Sequence, residues 1–219
     1  MRKIEYAVGA AGLFIKHMHI ENVDRGMIAT FGNAFRVEQG FTGREIELHH
    51  TLAYVSRSVT DEQTRLYDSI EDVINQFWHT GDRGRPWLLV VITDGQDNIS
   101  RRYWDNPRGI GNFIGQRFNH EPSNFIFVIG VGEGEQIGRA ALGKMGDSGQ
   151  FTAMTIAAFP LLELVFLELA FRISETTVGQ VVTSGNRSWG EVARLRQISH
   201  IPFDYAFLID RSGSMSEQG

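Results

Sequence analysis

The feature that most constrains the fold is an apolar run, residues 203–209, that leads into a polar loop. An apolar run of this length predicts a strand buried on both faces, as is typical of the centre of a parallel sheet. The loop that follows, residues 210–215, carries one aspartate and two serines, and Gly213 allows a sharp backbone turn. Ligands of open α/β sheets bind at the carboxyl ends of the strands. The loop therefore predicts a binding site.

The composition indicates one globular domain and argues against several classes of protein. A chain of 219 residues, 42% hydrophobic and 21% charged, can bury a large core. The formal net charge is −5 and no basic block is present, so neither nucleic acid nor an anionic membrane is an expected partner. Cysteine is absent, which excludes disulfides and thiolate zinc sites. We expect a cytoplasmic protein without membrane insertion, since no signal peptide or membrane-spanning segment is recognisable.

Strand and helix patterns alternate along the chain, which predicts an α/β fold. Strands are predicted at 25–31, 34–38, 87–93, 124–129, 151–156 and 203–209. Helices are predicted at 3–19, 45–56, 66–78, 107–118, 136–145 and 161–173. The first two strands flank Gly32 and Asn33 and so form a hairpin at one edge. The expected architecture is a doubly wound, mostly parallel six-stranded sheet with one antiparallel edge strand and helices on both faces.

Two other loops carry oxygen ligands of the same kind as the loop after the last strand. Thr64 precedes a predicted helix, and Asp94 follows a predicted buried strand, so both are expected at the same edge of the sheet. The combined set of two carboxylates and three hydroxyls is Asp210, Ser212, Ser214, Thr64 and Asp94. Hard oxygens suit a small dication such as Mg²⁺, whereas soft or imidazole-rich metals match this set poorly.

The same five residues resemble the metal-ion-dependent adhesion site of the von Willebrand factor A family, whose fold is Rossmann-like. The family pattern is Asp-x-Ser-x-Ser, a distant Thr and an Asp in a Thr-Asp-Gly turn. Here it corresponds to Asp210, Ser212, Ser214, Thr64 and Asp94. The resemblance implies that the three hydroxyls ligate Mg²⁺, or Mn²⁺ or Ca²⁺, directly. The two aspartates would act through water or at the margin of the first coordination shell.

What the resemblance implies for function is protein binding without catalysis. The neutral hydroxyls leave much of the ion's charge uncompensated, so a carboxylate of a partner Asp or Glu would complete the coordination. The expected function is thus a divalent-cation-dependent adhesion or scaffold module. Two alternatives stay open: a metal-assisted phosphoesterase at the same site, and a metal-independent scaffold that binds through the apolar helix 161–173.

The order of the elements departs from the family pattern. In the family the Asp-x-Ser-x-Ser loop precedes the first helix, whereas here it follows the last strand. The resemblance therefore implies a circularly permuted single domain over residues 1–219. Residues 1–174 would run from the first helix to the last, 175–202 would form a bridging linker, and 203–219 would supply the first strand and the metal loop. Chain ends fray, so we expect weaker ion binding, exchange of the first helix between molecules, or a dimer through the termini or helix 161–173.

Two further loops have competing interpretations. The glycine-rich residues 130–135 follow a buried strand, but they lack the G-x-G-x-x-G spacing and carry Glu133 and Glu135, which would repel a pyrophosphate. A plain strand-to-helix connection is the favoured interpretation. Residues 98–105 are expected to border the metal face, either as an ordinary variable loop or as a determinant of partner choice.

Overall fold

A six-stranded sheet forms the centre of the structure. The computed structural model describes residues 1–18, 24–58, 61–118, 124–132, 138–174, 183–184, 187–188 and 202–217. The strands are β1 (Arg25–Phe31), β2 (Arg36–Thr42), β3 (Trp87–Thr93), β4 (Phe125–Val131), β5 (Thr152–Ile156), β6 (Thr183–Ser184), β7 (Arg187–Ser188) and β8 (Asp204–Asp210). The helices are α1 (Lys3–His17), α2 (Glu45–Arg57), α3 (Leu66–Thr80), α4 (Pro107–Arg117), α5 (Arg139–Gly149) and α6 (Leu161–Ser174).

The strand order of the large sheet is β2-β1-β8-β3-β4-β5. Strand β2 is antiparallel to β1, and every other neighbouring pair in this sheet is parallel. The predicted fold class is therefore confirmed, including the antiparallel strand at the edge.

Strand β8 lies at the centre of the sheet, between β1 and β3, and all seven of its residues are buried. Its first residue, Asp204, is charged, but the carboxylate is compensated. Arg25 Nε donates to Asp204 Oδ1 at 2.9 Å, and the backbone N–H of Asp82 donates to Oδ2 at 2.7 Å. A buried carboxylate needs such partners, because without them its desolvation would outweigh the gain from burying the strand. The doubly buried strand predicted from the apolar run is confirmed.

Helices cover both faces of the sheet. On one face, α1, α2 and α6 pack against a cluster in which Phe14 and Phe166 surround Phe207, with ring centroids 5.4 and 5.8 Å from its own. On the other face, α3, α4 and α5 bury Phe77 against Trp87 at a centroid distance of 5.4 Å. The two packed layers exclude water from the sheet and fix the strand ends that carry the candidate site.

Several predicted boundaries were wrong where the pattern was weakly apolar. Strand β2 spans Arg36–Thr42, not 34–38. None of its seven residues is fully buried at the sheet edge, so the clear apolar alternation on which strand prediction depends is missing. In α2 the buried positions include Leu48, whereas Ile46 and Tyr54, two of the residues whose spacing indicated a helix, are exposed. Helix α5 covers Arg139–Gly149 and so extends four residues beyond the predicted end at residue 145, whereas residues 136 and 137 of the predicted helix lie outside the described ranges.

The predicted linker at 175–202 contains two short strands within its described residues. β6 and β7 pair with each other in an antiparallel arrangement, separate from the large sheet. Residues 189–198, whose sequence also indicates a short helix, and residues 133–137 of the glycine-rich loop lie outside the described residues. Helices in the described ranges are all too short or too polar to cross a bilayer.

Candidate functional site

The candidate site lies where β8 and its two neighbours end. Because β1, β8 and β3 are parallel, their carboxyl ends meet at one edge of the sheet. The chain leaves β8 through a 3₁₀ turn, Gly213–Ser216. Two backbone hydrogen bonds hold this segment on either side: Asp61 N–H donates to Arg211 O at 2.7 Å, and Lys3 N–H donates to Glu217 O at 3.0 Å.

Three of the five predicted site residues form a chain of hydrogen bonds. Ser214 Oγ donates to Asp94 Oδ1 at 2.7 Å, and the Oγ atoms of Ser212 and Ser214 are 3.0 Å apart. Ser212 and Asp94 are almost completely buried. The structure therefore brings the loop after β8 into direct contact with the loop after β3, although 120 sequence positions separate Ser214 from Asp94.

Asp210, the fourth predicted residue, is fully buried beneath these serines. Its carboxylate accepts hydrogen bonds from Thr93 Oγ1 at 2.6 Å and from the backbone N–H of Ser212 at 2.7 Å. Burial, and then the negative charge of Asp94, raise the pKa of Asp210 to about 7, although these hydrogen bonds act in the opposite direction. Two carboxyl groups thus repel each other at the base of the site.

Thr64, the fifth predicted residue, lies beside the Asp94 loop just before α3 and is also buried. Its backbone is paired on both sides with Asn98: Thr64 N–H donates to Asn98 Oδ1, and Asn98 N–H donates to Thr64 O, each at 2.9 Å. A Cβ atom added to Gly95 would lie 3.3 Å from Thr64 Oγ1. The Thr64 hydroxyl therefore faces the residue that follows Asp94.

Sequence reasoning missed the residue that fixes the Asp94 loop against α3. The buried carboxylate of Asp68, in the first turn of α3, accepts hydrogen bonds from the backbone N–H groups of Arg101 at 2.9 Å and Arg102 at 3.1 Å. Arg65 Nη2 lies 3.2 Å from the same carboxylate. An acidic residue in the first turn of a helix was the available signal, but such a residue ordinarily serves the helix dipole, and its distant partners cannot be inferred from spacing.

The start of α3 is held by the same loop through a second set of contacts. Asp97 Oδ1 accepts a hydrogen bond from Tyr67 N–H at 3.2 Å, and Ser100 Oγ accepts one from Asp68 N–H at 3.0 Å. The first N–H groups of a helix have no partner within the helix, so side chains of the loop satisfy them here. The loop after β3 and the threonine before α3 are therefore held in one fixed arrangement.

Sequence reasoning also missed Lys3, whose ammonium group lies in the site. Lys3 Nζ is 3.0 Å from Asp94 Oδ2 and 3.2 Å from Glu217 Oε2. Burial alone would lower the pKa of Lys3, but the hydrogen bonds and charges of Asp94, and then of Glu217, raise it above its ordinary value. No local pattern could have indicated this pair, because 91 positions separate Lys3 from Asp94.

The residues around the site offer oxygen ligands only. Among the ranges that the structure describes, no three His, Cys, Asp or Glu side chains converge to form a metal cluster. A cation in this region would therefore depend on serine and threonine hydroxyls supported by two aspartates. Such a donor set fits a small hard ion such as Mg²⁺ and does not fit a thiophilic metal.

The loop 98–105 divides into two parts beside the site. In its first part Asn98 bonds Thr64 and Ser100 bonds the first turn of α3, whereas Trp104 is 65% exposed. Trp104 lines a cavity of about 220 Å³ together with Tyr67 and Gly95, the residue next to Asp94. The prediction that this loop borders the candidate site is consistent with that position.

Comparison with known proteins finds similarity at the level of structure. No protein-family model matches the chain, and no curated protein matches it. The conserved hypothetical protein BatB from Bacteroides thetaiotaomicron is 13% identical, with a TM-score of 0.56 over 76% of this chain and 86% of that one. A von Willebrand factor type A protein from Catenulispora acidiphila is 16% identical, with a TM-score of 0.61 over 77% of this chain and 38% of that one.

Proximal thread matrix protein 1 of the mussel byssus is a third structural neighbour. It is 15% identical, with a TM-score of 0.57 over 77% of this chain and 40% of that one. The chain thus spans less than half the length of the last two proteins. At such identities the likeness establishes the fold alone, and that fold is the one predicted from the sequence. The chain has a von Willebrand factor A-like fold.

Proposed function

We propose that this chain is a protein-binding module whose binding depends on a divalent cation. The observation that carries the proposal is the hydrogen-bonded chain Ser212–Ser214–Asp94 above the buried Asp210. Hydroxyl and carboxylate oxygens from two distant loops meet there at the carboxyl edge of the sheet, where α/β folds bind their ligands.

In this proposal Ser212, Ser214 and Thr64 would ligate the ion, which is Mg²⁺ or alternatively Mn²⁺ or Ca²⁺. Asp210 and Asp94 would act through water or at the margin of the first shell. The bound ion supplies positive charge for an anionic ligand. Because the direct ligands are neutral, an Asp or Glu carboxylate of a protein partner would complete the coordination.

We also infer that the elements follow a circularly permuted order of the von Willebrand factor A domain. Support comes from the central position of β8 and from the hydrogen bond between Lys3 N–H and Glu217 O. Helix α1 thus begins next to the end of the loop that follows β8. In the family, the first helix follows the metal loop directly, so the spatial arrangement is the same.

Calorimetric titration of Mg²⁺ tests the ion dependence. We expect a saturable heat of binding for the wild-type chain and its loss, or weakening by at least about tenfold, in Ser212→Ala, which removes a direct ligand. Ser216→Ala is the matched control, because the Ser216 hydroxyl is exposed in the same turn and bonds Gly213 O. Equal heats for wild type and Ser212→Ala would show that the ion does not bind at this site.

Two further measurements separate the proposal from its alternatives. Turnover of a generic phosphate ester that disappears in Asp94→Ala would favour a metal-assisted phosphoesterase. Partner binding that survives EDTA would favour a metal-independent scaffold acting through the apolar helix α6. The proposed module predicts neither result.

A further inference from the structure

Lys3 brings a positive charge to the carboxylate that the proposed ion site uses. The two oxygens of Asp94 are both engaged: Oδ1 accepts from Ser214 Oγ at 2.7 Å, and Oδ2 accepts from Lys3 Nζ at 3.0 Å. Asp94 therefore already has a cationic partner supplied by the chain itself, on the opposite oxygen from the serine that would ligate a metal.

The ammonium group is held by the surrounding structure. Lys3 is the first residue of α1, and its backbone N–H is bonded to Glu217 O at 3.0 Å. Its side chain is only 19% exposed, and Nζ lies 5.9 Å from the centre of the Phe159 ring. A second carboxylate, that of Glu217, lies 3.2 Å from Nζ. These contacts restrict the ammonium group to the vicinity of Asp94.

A divalent ion at the serine hydroxyls would lie beside this ammonium group. Like charges a few ångströms apart repel strongly in a site shielded from water, and one carboxylate cannot neutralise both of them fully. Glu217 offers Lys3 an alternative partner nearer to solvent, because the Glu217 side chain is 68% exposed. If Lys3 moves away from Asp94, the carboxylate of Glu217 can still neutralise its charge.

We propose that Lys3 is an internal counter-cation that competes with the divalent ion for Asp94. This inference rests on the proposed function and adds a regulation of the same site. In the absence of a divalent ion, Lys3 neutralises Asp94 and stabilises the loop after β8. Binding of the ion requires Lys3 to release Asp94, so Lys3 sets the ion concentration at which the site becomes competent for an anionic partner.

Lys3→Met tests the proposal, since methionine keeps the length of the stem and removes the charge. We expect Mg²⁺ to bind Lys3→Met about tenfold more tightly than wild type in calorimetry. The melting temperature in EDTA should be lower than that of wild type, and its rise on adding Mg²⁺ should be larger. Lys3→Arg retains the charge and should bind Mg²⁺ as weakly as wild type.

Lys16→Met is the matched control, because Lys16 is exposed near the other end of α1. Its Mg²⁺ affinity should equal that of wild type. If Lys3→Met does not fold, Lys3→Gln serves the same purpose with the same expected result. Unchanged or weaker Mg²⁺ binding in the neutral Lys3 variants, with binding intact in wild type, would overturn the role of Lys3 alone. Absence of Mg²⁺ binding in wild type and in all variants would overturn the proposed function as well.

Discussion

Asp210 is a carboxyl group whose ionisation is opposed by its surroundings. It is fully buried at the end of β8, and burial followed by the charge of Asp94 raises its pKa from the ordinary value of 3.8 to about 7. The folded state therefore holds this proton more tightly than the unfolded state does between those two pH values. By linkage, the contribution of Asp210 to the free energy of unfolding is fully present below pH 3.8 and declines as the pH rises towards 7.

Asp210→Asn should remove this decline. Asparagine resembles the protonated carboxyl group, and its amide oxygen can still accept from Ser212 N–H. In EDTA at pH 8 we expect the free energy of unfolding of the variant to exceed that of wild type by about 1–3 kcal/mol, with the difference vanishing near pH 4. Urea unfolding at the two pH values measures it. A variant less stable than wild type at pH 8 would show that the ionised carboxylate is well compensated in the fold.

The geometry of the candidate site depends on the hydrogen bonds between the loop after β3 and the start of α3. The loop after β3 carries Asp94, and its continuation is bonded to the first turn of α3 through Asp68 and Ser100. Thr64, just before α3, is bonded to Asn98 of the same loop. Contacts outside the site therefore set the position of Thr64, a proposed ligand, relative to Asp94, a proposed supporting carboxylate.

Asp68→Ala should loosen this arrangement. The substitution leaves two backbone N–H groups without their buried acceptor, while Arg65 retains Asp72 as a partner, so we expect a loss of about 3 kcal/mol in the free energy of unfolding. Mg²⁺ affinity should fall as well, because the Asp94 loop loses its attachment. Asp147→Ala is the control at an exposed position of α5, and its effect should be within about 0.5 kcal/mol. Equal unfolding curves for the two variants would contradict a fastening role for Asp68.

At the scale of the whole molecule, the sheet could be predicted closely from the sequence. Strands β1 and β3 have the predicted boundaries because their residues are nearly all buried, so the apolar run and the strand coincide. The edge strand β2 was misplaced because its exposed face has no apolar pattern. Ile46 shows that an apolar residue on a helix can remain exposed, so the apolar pattern does not always identify the buried face.

In the candidate site, the sequence could indicate only those residues whose side chains are recognisable as oxygen ligands. Asp210, Ser212, Ser214 and Asp94 could be proposed as one set, because hydroxyls and carboxylates after parallel strands share an edge. Lys3 and Asp68 could not be proposed in this way, because their roles arise from tertiary contacts. Lys3 contacts Asp94, which is 91 positions away, and Asp68 contacts Arg101, which is 33 positions away. A charged residue near the start of a helix has many ordinary functions, and only the folded arrangement distinguishes them.

The inferred permutation makes a prediction about the connectivity of the chain. Joining residue 219 to residue 1 and opening the chain near residue 180 would give the order of elements found in the family. We expect this variant to fold and to bind Mg²⁺ several-fold more tightly, because a covalent link from the loop after β8 to α1 would restrict the conformations of that loop. The control carries the same joining residues as an unjoined extension after residue 219. Unchanged Mg²⁺ affinity, with a strictly monomeric original chain, would contradict the expected loosening of the loop.

A crystal grown with Mn²⁺ would locate the ion by its anomalous scattering. We predict a single strong anomalous peak between the hydroxyls of Ser212, Ser214 and Thr64, about 2.2 Å from each coordinating oxygen and absent from crystals of Ser212→Ala. A saturated crystal with no peak there, or with Thr64 too far from the serines to share one coordination shell, would contradict the proposed metal site.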